Sequence, residues 1–183
     1  MATPESGTDA WLLDRLSAGE FAGHWILDPG RSTIALRSRS IWGMAPVKGK
    51  FTELTGDGTV SPTGEVSGTL KVAAASIDTK NKKRDSHLRS ADFFDSDTHP
   101  HIVFTARTRS TSTERLAMIG NLRVRDTTRP ITVPIRVSAS GDELVQLDAE
   151  ITVDRSEFGL TWNQLGMASL QNVITVRAVF TRR

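Results

Sequence analysis

Cysteine does not occur in these 183 residues. Disulfide scaffolds, thiolate zinc sites and cysteine nucleophiles are thereby excluded. A surplus of one charge is nearly absent too. The 23 Lys and Arg stand against 21 Asp and Glu, for a net charge of +2, which gives little support to a nucleic-acid partner. Long apolar runs are missing. The opening stretch, MATPESGTDAWLLDRLSAGEFAG, has no basic region leading into an apolar one, as a signal peptide would. Nothing elsewhere reaches the length of a membrane span. A cytoplasmic protein with no integral membrane segment is therefore expected. Motifs that announce chemistry are scarce as well. There is no HExxH spacing and no GxSxG elbow, and GDGTV at 56–60 opens no helix that could cradle a phosphate.

What is present suits one ordinary globular domain, with 38% hydrophobic and 24% charged residues. Residues 8–19 read as a short amphipathic helix. Thr8 or Asp9 would cap it, and Trp11, Leu12, Leu13 and Leu16 would form its apolar stripe. It belongs to an N-terminal extension, residues 1–22, that packs on the domain or closes one end of it. From residue 23 to 183 the apolar period becomes two. Ile34 and Leu36 alternate with Arg37 and Arg39, Leu70 and Val72 with Thr69 and Lys71. The pattern recurs in about nine runs separated by Gly, Pro, Asp and Ser turns. Such a chain makes an antiparallel all-β fold with one wet face, a sandwich or a closed barrel of roughly eight strands. Gly49, Gly68, Ala74 and Gly120 share the parity of Phe51, Leu70, Val72 and Met118. Small residues there either leave a lumen or only relieve strand curvature, and both favour a barrel.

Residues 79–101, TKNKKRDSHLRSADFFDSDTHPH, hold the densest set of ionisable groups. A short helix is expected over 80–92. His99 and His101 could ligate a metal, but the intervening Pro100 places them at a turn, so no metal site is assigned. Ser86, His87 and Asp85 are adjacent in the chain and cannot aim at one another as a nucleophile, base and orienter must. No catalytic residue is assigned. KNKKR at 80–84 lacks interleaved aromatics and reads as a solvated helix face. Arg155 continues the inward parity of Ile151 and Val153, and a buried guanidinium needs an anion. Asp85 or a ligand head group could supply it, and a structural Asp85–Arg155 pair is the blander choice. Glu53 also has inward parity.

With these residues in view, the chain from about Trp25 to its end resembles the YceI-like family of lipid-binding proteins. The matching residues are W-x-x-D-P at Trp25, Asp28 and Pro29, then Ser32, and G-x-F at Gly49 and Phe51. Next come SIDT at Ser76–Thr79, RD-x-HL at Arg84, Asp85, His87 and Leu88, and DFF at Asp92–Phe94. Pro100, Phe104, G-x-L at Gly120 and Leu122, and R-x-x-FG at Arg155, Phe158 and Gly159 complete the pattern. Ser40 stands where members commonly carry a histidine. The resemblance implies a lipocalin-like barrel whose lumen holds a polyisoprenoid, an isoprenoid quinone or a similar lipid. Members are often exported and often dimeric, so a homodimer enters as an expectation. The 80–92 crossover would then be trim around a pocket.

The expected function is non-enzymatic binding, carriage or storage of a long apolar ligand, with no cofactor. The lining residues expected by parity are Ile34, Leu36, Phe51, Leu70, Val72, Phe104, Met118 and Leu122. Phe93, Phe94, Phe158, Trp162 and Met167 would join them from the loops. The rivals are an enzyme acting on an isoprenoid or oxylipin in the same barrel, and an interaction module with a filled barrel.

Overall fold

A computed structural model describes residues 7–40, 44–109, 116–163 and 168–183. Helix α1 (Gly7–Ser17) comes first, followed by β1 (Gly23–Leu27), β2 (Thr33–Ser40), β3 (Ala45–Phe51), β4 (Leu54–Val60), β5 (Val66–Ala73) and β6 (Ile77–Asp78). Helix α2 (Lys82–Arg89) crosses to β7 (His101–Arg109), β8 (Ala117–Val124), β9 (Thr127–Ser140), β10 (Leu144–Asp154) and β11 (Gln171–Arg182). Short 3-10 turns follow β5 at Ala74–Ser76 and β10 at Arg155–Phe158.

Eight strands close on themselves in the order β1-β4-β5-β7-β8-β9-β10-β11, with β11 returning to β1. This is the antiparallel all-β barrel that the period-two runs predict. The seam is asymmetric. One half of β11 pairs with β2, from Val173↔Arg37 to Arg177↔Thr33, and the other with β1, from Leu27↔Phe180 to Trp25↔Arg182. Between the two partners the ladder would break, and the turn from β1 to β2 fills the gap. Asp28 N–H donates to Val179 O at 2.8 Å, and Val179 N–H donates to the Ser32 hydroxyl at 2.9 Å. Asp28 folds that turn as well, its Oδ1 accepting from Gly30 N (2.9 Å) and Arg31 N (3.2 Å). The W-x-x-D-P…S residues are thus the joint at which the barrel closes.

Two strands escape the period-two reading. In β4 the inward positions are Leu54, Gly56, Gly58 and Val60, and the two glycines carry no apolar signal. Strand β6 has two residues, paired with Lys50 and Phe51. The inward-parity glycines, read as leaving a lumen or relieving strand curvature, stand at close strand contacts. A Cβ on Gly120 would lie 2.3 Å from Thr105 O, and one on Gly68 would lie 2.8 Å from Asp57 O. These glycines let neighbouring strands approach closely, and Gly49 and Gly68 also border the lumen.

Helix α1 begins at Gly7, ahead of Thr8 and Asp9, so neither occupies the cap position. Its end docks backbone to backbone on the turn between β4 and β5. A Cβ on Gly64 (φ +84°) would meet Leu16 O at 2.8 Å, and one on Gly19 (φ +74°) would meet Pro62 O at 2.9 Å. Both sites therefore require glycine, for their left-handed φ and for the contact. Leu12, Leu13 and Leu16 pack against Phe21, Trp25 and Val60 at that end of the barrel. Trp11 leaves the expected stripe. It is 48% exposed, with the Arg15 guanidinium carbon 4.8 Å from its ring.

Candidate functional site

The inward faces of the strands enclose a cavity of about 600 Å³, within the roughly 300–1,000 Å³ range of sites that take one small molecule. Leu36, Leu70, Phe104, Leu147, Ile151 and Ile174 line it, and all are only half-buried although they face the inside of the barrel. Their side chains border open space where a filled barrel would pack them together. The reason is geometric. Eight tilted strands make a ring whose centre side chains of this size only just reach, or leave vacant for one small ligand.

The two ends of the cavity differ. At one end Leu12, Leu16, Phe21 and Trp25 form an apolar floor, with Trp25 Nε1 donating to Phe21 O at 2.9 Å. At the other end α2 and the turns after it cover the barrel. Asn81 starts α2 by accepting from Arg84 N–H through its side chain, so the helix spans Lys82–Arg89 within the expected 80–92. Arg89 ties it down, Nε donating to Ala75 O (2.7 Å) and Nη2 to Ile77 O (3.2 Å). Leu88, Phe93, Phe94, Phe158, Leu160 and Trp162 then close the wall.

Polar groups reach the wall at this second end. The His87 ring stacks edge-on against Trp162 (4.5 Å between centroids) and Phe93 (5.1 Å), with Nε2 2.9 Å from Asp92 Oδ2. Arg84 donates from Nε to Thr79 Oγ1 (2.8 Å) and from Nη2 to Thr79 O (3.2 Å). Arg155, 9% exposed, follows β10 and points inward as its parity predicts. Burial pushes its pKa down, opposed by the neighbouring Asp154 carboxylate.

Twelve of the expected lining residues border this one cavity: Ile34, Leu36, Phe51, Leu70, Val72, Phe93, Phe94, Phe104, Met118, Leu122, Phe158 and Trp162. Met167 and the side chain of Ser40 lie outside the described residues. Parity also held information not used for the opposite wall, where Leu147, Ala149 and Ile151 of β10 and Ile174, Val176 and Ala178 of β11 complete the lining.

The structural pair Asp85–Arg155 does not form. Asp85 Oδ1 accepts from Thr79 N–H (2.9 Å) and Thr79 Oγ1 (2.6 Å), holding the start of the crossover. Arg155 donates instead to three backbone carbonyls, Leu160, Ser169 (3.0 Å) and Ala168 (3.4 Å). Carbonyl oxygens carry the acceptor role without a formal charge, so no acid is needed to satisfy the guanidinium's hydrogen bonds. Glu53 is exposed in the turn between β3 and β4. His101 opens β7 facing solvent, while His99 turns toward Asp126 (3.5 Å) and Asp95 (3.9 Å). Among the described residues, no three His, Asp or Glu side chains converge as a metal site would need.

The model of the YceI-like domain matches residues 25–181. The chain belongs to the YceI-like family. A UPF0312 protein of Staphylococcus aureus (strain USA300) is 26% identical over 129 residues, 66% of this chain and 73% of the relative. Protein YceI of Salmonella arizonae is 31% identical over 111 residues, 57% of this chain and 58% of the relative. The YceI-like barrel superposes on Burkholderia cenocepacia BcnA with a TM-score of 0.75 at 19% identity, covering 84% of this chain and 98% of BcnA. A polyisoprenoid-binding domain from Saccharophagus degradans gives 0.71 at 14% identity, over 87% and 98%. Likeness at these identities concerns the fold. Helix α1 precedes the part matched by the family model.

Proposed function

We propose that this YceI-like protein binds one long-chain apolar ligand in its lumen, a polyisoprenoid, isoprenoid quinone or similar lipid, and carries or stores it unchanged. The observation that carries this reading is a closed barrel around an apolar-walled cavity of about 600 Å³. Its likeness in fold to a polyisoprenoid-binding domain supports the ligand class. Burial from water is the driving force. Each 100 Å² of apolar ligand surface covered contributes about 2.5 kcal/mol, so the wall needs shape and no chemistry.

The test is native mass spectrometry of the protein as purified, followed by organic extraction and a binding titration with geranylgeraniol. A co-purifying lipid, or saturable uptake of the alcohol at one per barrel, is expected. Absence of both a bound lipid and any uptake of the alcohol would overturn the reading.

A further inference from the structure

The geometry points to an anion-binding pole at the α2 end of the lumen, where Arg84, His87 and Arg155 receive the phosphate or carboxylate head of an amphiphile whose chain runs toward α1. This rests on the lumen being a lipid site and adds the charge of the head and the direction of the chain.

Three donors border that end of the cavity, two from α2 and one from the end of β10. Arg84 and His87 lie three residues apart on α2 and so share a face. Arg155 arrives from the end of β10. Phe93 joins them, its ring 5.1 Å from the His87 ring and 5.4 Å from the Arg155 guanidinium carbon. All three border the cavity, whose opposite end is closed by Leu12, Leu16, Phe21 and Trp25. An amphiphile has one favourable orientation in a container with one polar end.

The donors keep capacity for a ligand. A guanidinium has five N–H groups. Arg155 spends three bonds on carbonyls and Arg84 two on Thr79. His87 uses Nε2 for Asp92, and its Nδ1 makes no hydrogen bond among the described residues.

Asp154, whose carboxylate acts on Arg155, is bonded to Ser156 and Gln171 and does not border the cavity, so it does not meet the charge on the lumen side. Carbonyls satisfy Arg155 geometrically but leave its positive charge in place, and a buried cation is stabilised by an anion at hydrogen-bonding distance. The acid on the described wall is Asp57, exposed on β4 and paired in the ladder with Ile26 and Thr69, away from this end. Asp85 is committed to Thr79, and Asp92 is more than half exposed beyond His87; neither borders the cavity. Phosphate and carboxylate oxygens fit a guanidinium fork in two-pronged fashion.

The experiment measures affinity for two matched pairs, geranylgeranyl phosphate against geranylgeraniol and palmitate against hexadecanol. Wild-type protein is compared with Arg84→Met and Arg155→Met, whose folding is checked by circular dichroism. We expect wild type to prefer at least one charged head by about tenfold or more, the pair that shows the preference identifying the head. In Arg84→Met, which removes the two side-chain hydrogen bonds to Thr79, the charged head should lose more affinity than the alcohol, so that preference should shrink. Equal affinity for charged and neutral partners in wild type would overturn the inference and leave the lipid site standing. So would a preference that survives in both variants. Binding of none of the four probes would sink the lipid site itself, and the inference with it.

Discussion

Asp85 and Arg155 are both buried and charged, and each is satisfied within its own neighbourhood. Asp85 closes a six-residue loop onto Thr79, taking both the backbone N–H and the hydroxyl on one oxygen. Deleting that acceptor leaves a buried N–H unpaired, so Asp85→Ala should cost about 1–3 kcal/mol. A double-mutant cycle separates the candidate partners. Asp85→Ala with Thr79→Val should show a coupling of about 0.5–3 kcal/mol, whereas Asp85→Ala with Arg155→Met should add to within about 0.5 kcal/mol. Urea denaturation of the five variants measures both. Strong coupling to Arg155 would restore the ion pair that the parity argument suggests. Arg155 points inward as its strand parity requires, but its three carbonyl partners come from residues 160, 168 and 169, which alternation along β10 does not reach.

Helix α1 shows how an element divides its own residues. Leu12 is 3% exposed and Trp11 is 48% exposed, although both belong to one apolar-looking stripe. Leu12→Ala should therefore cost about 2–5 kcal/mol, and Trp11→Ala under about 1 kcal/mol, chiefly its contact with Arg15. Similar losses in thermal melts of the two variants would mean that α1 sits differently on the barrel. The turn after β10 offers a pH test. Asp154 accepts from Ser156 Oγ (2.6 Å), Ser156 N–H (2.9 Å) and Gln171 Nε2 (2.8 Å). Those bonds, the Ser156 hydroxyl first, hold its carboxyl below the usual range. A folded pKa beneath the unfolded one, about 3.9, means the stabilisation is complete above that value. It is lost as pH falls through the folded pKa. Asp154→Asn should be less stable than wild type at pH 6, with the gap closing on acidification below about pH 4. A gap that stays constant to pH 2 would show the carboxylate charge to be irrelevant. The turn chemistry at Asp28 and Ser32 was visible as a motif, but its purpose, bridging the change of partner along β11, needed the assembled sheet.

For the molecule as a whole the question is whether the barrel is a container or a packed core. Ala149 of β10 borders the lumen opposite Val176 and Ile135 in the ladder. In a filled barrel Ala149→Trp would cost about 1–3 kcal/mol through overpacking. Here the indole has open space to enter, so the loss should stay under about 1 kcal/mol while lipid content of the purified protein falls. The denaturation midpoint and native mass together check this. A large loss of stability with lipid content unchanged would contradict an open lumen at that level.

The sequence alone determined the barrel wall, because alternate side chains of a strand must face opposite sides of the sheet. Once one face is apolar, parity names its members from Ile34 to Leu122. It lost β4, where Gly56 and Gly58 stand at the inward positions and parity has nothing to read. Tertiary structure alone decided what the wall encloses. Whether the inward side chains of a closed ring meet at its centre depends on strand number, tilt and the path of the neighbouring chain. Parity left open whether the inward glycines make space or ease the strands, and at Gly68 and Gly120 the assembled sheet shows close strand approach. Tertiary structure also decided that the two ends differ. Closure brings Leu12 and Phe21 to one end, and Arg84, His87 and Arg155 to the other, from segments that alternation along any single strand cannot relate.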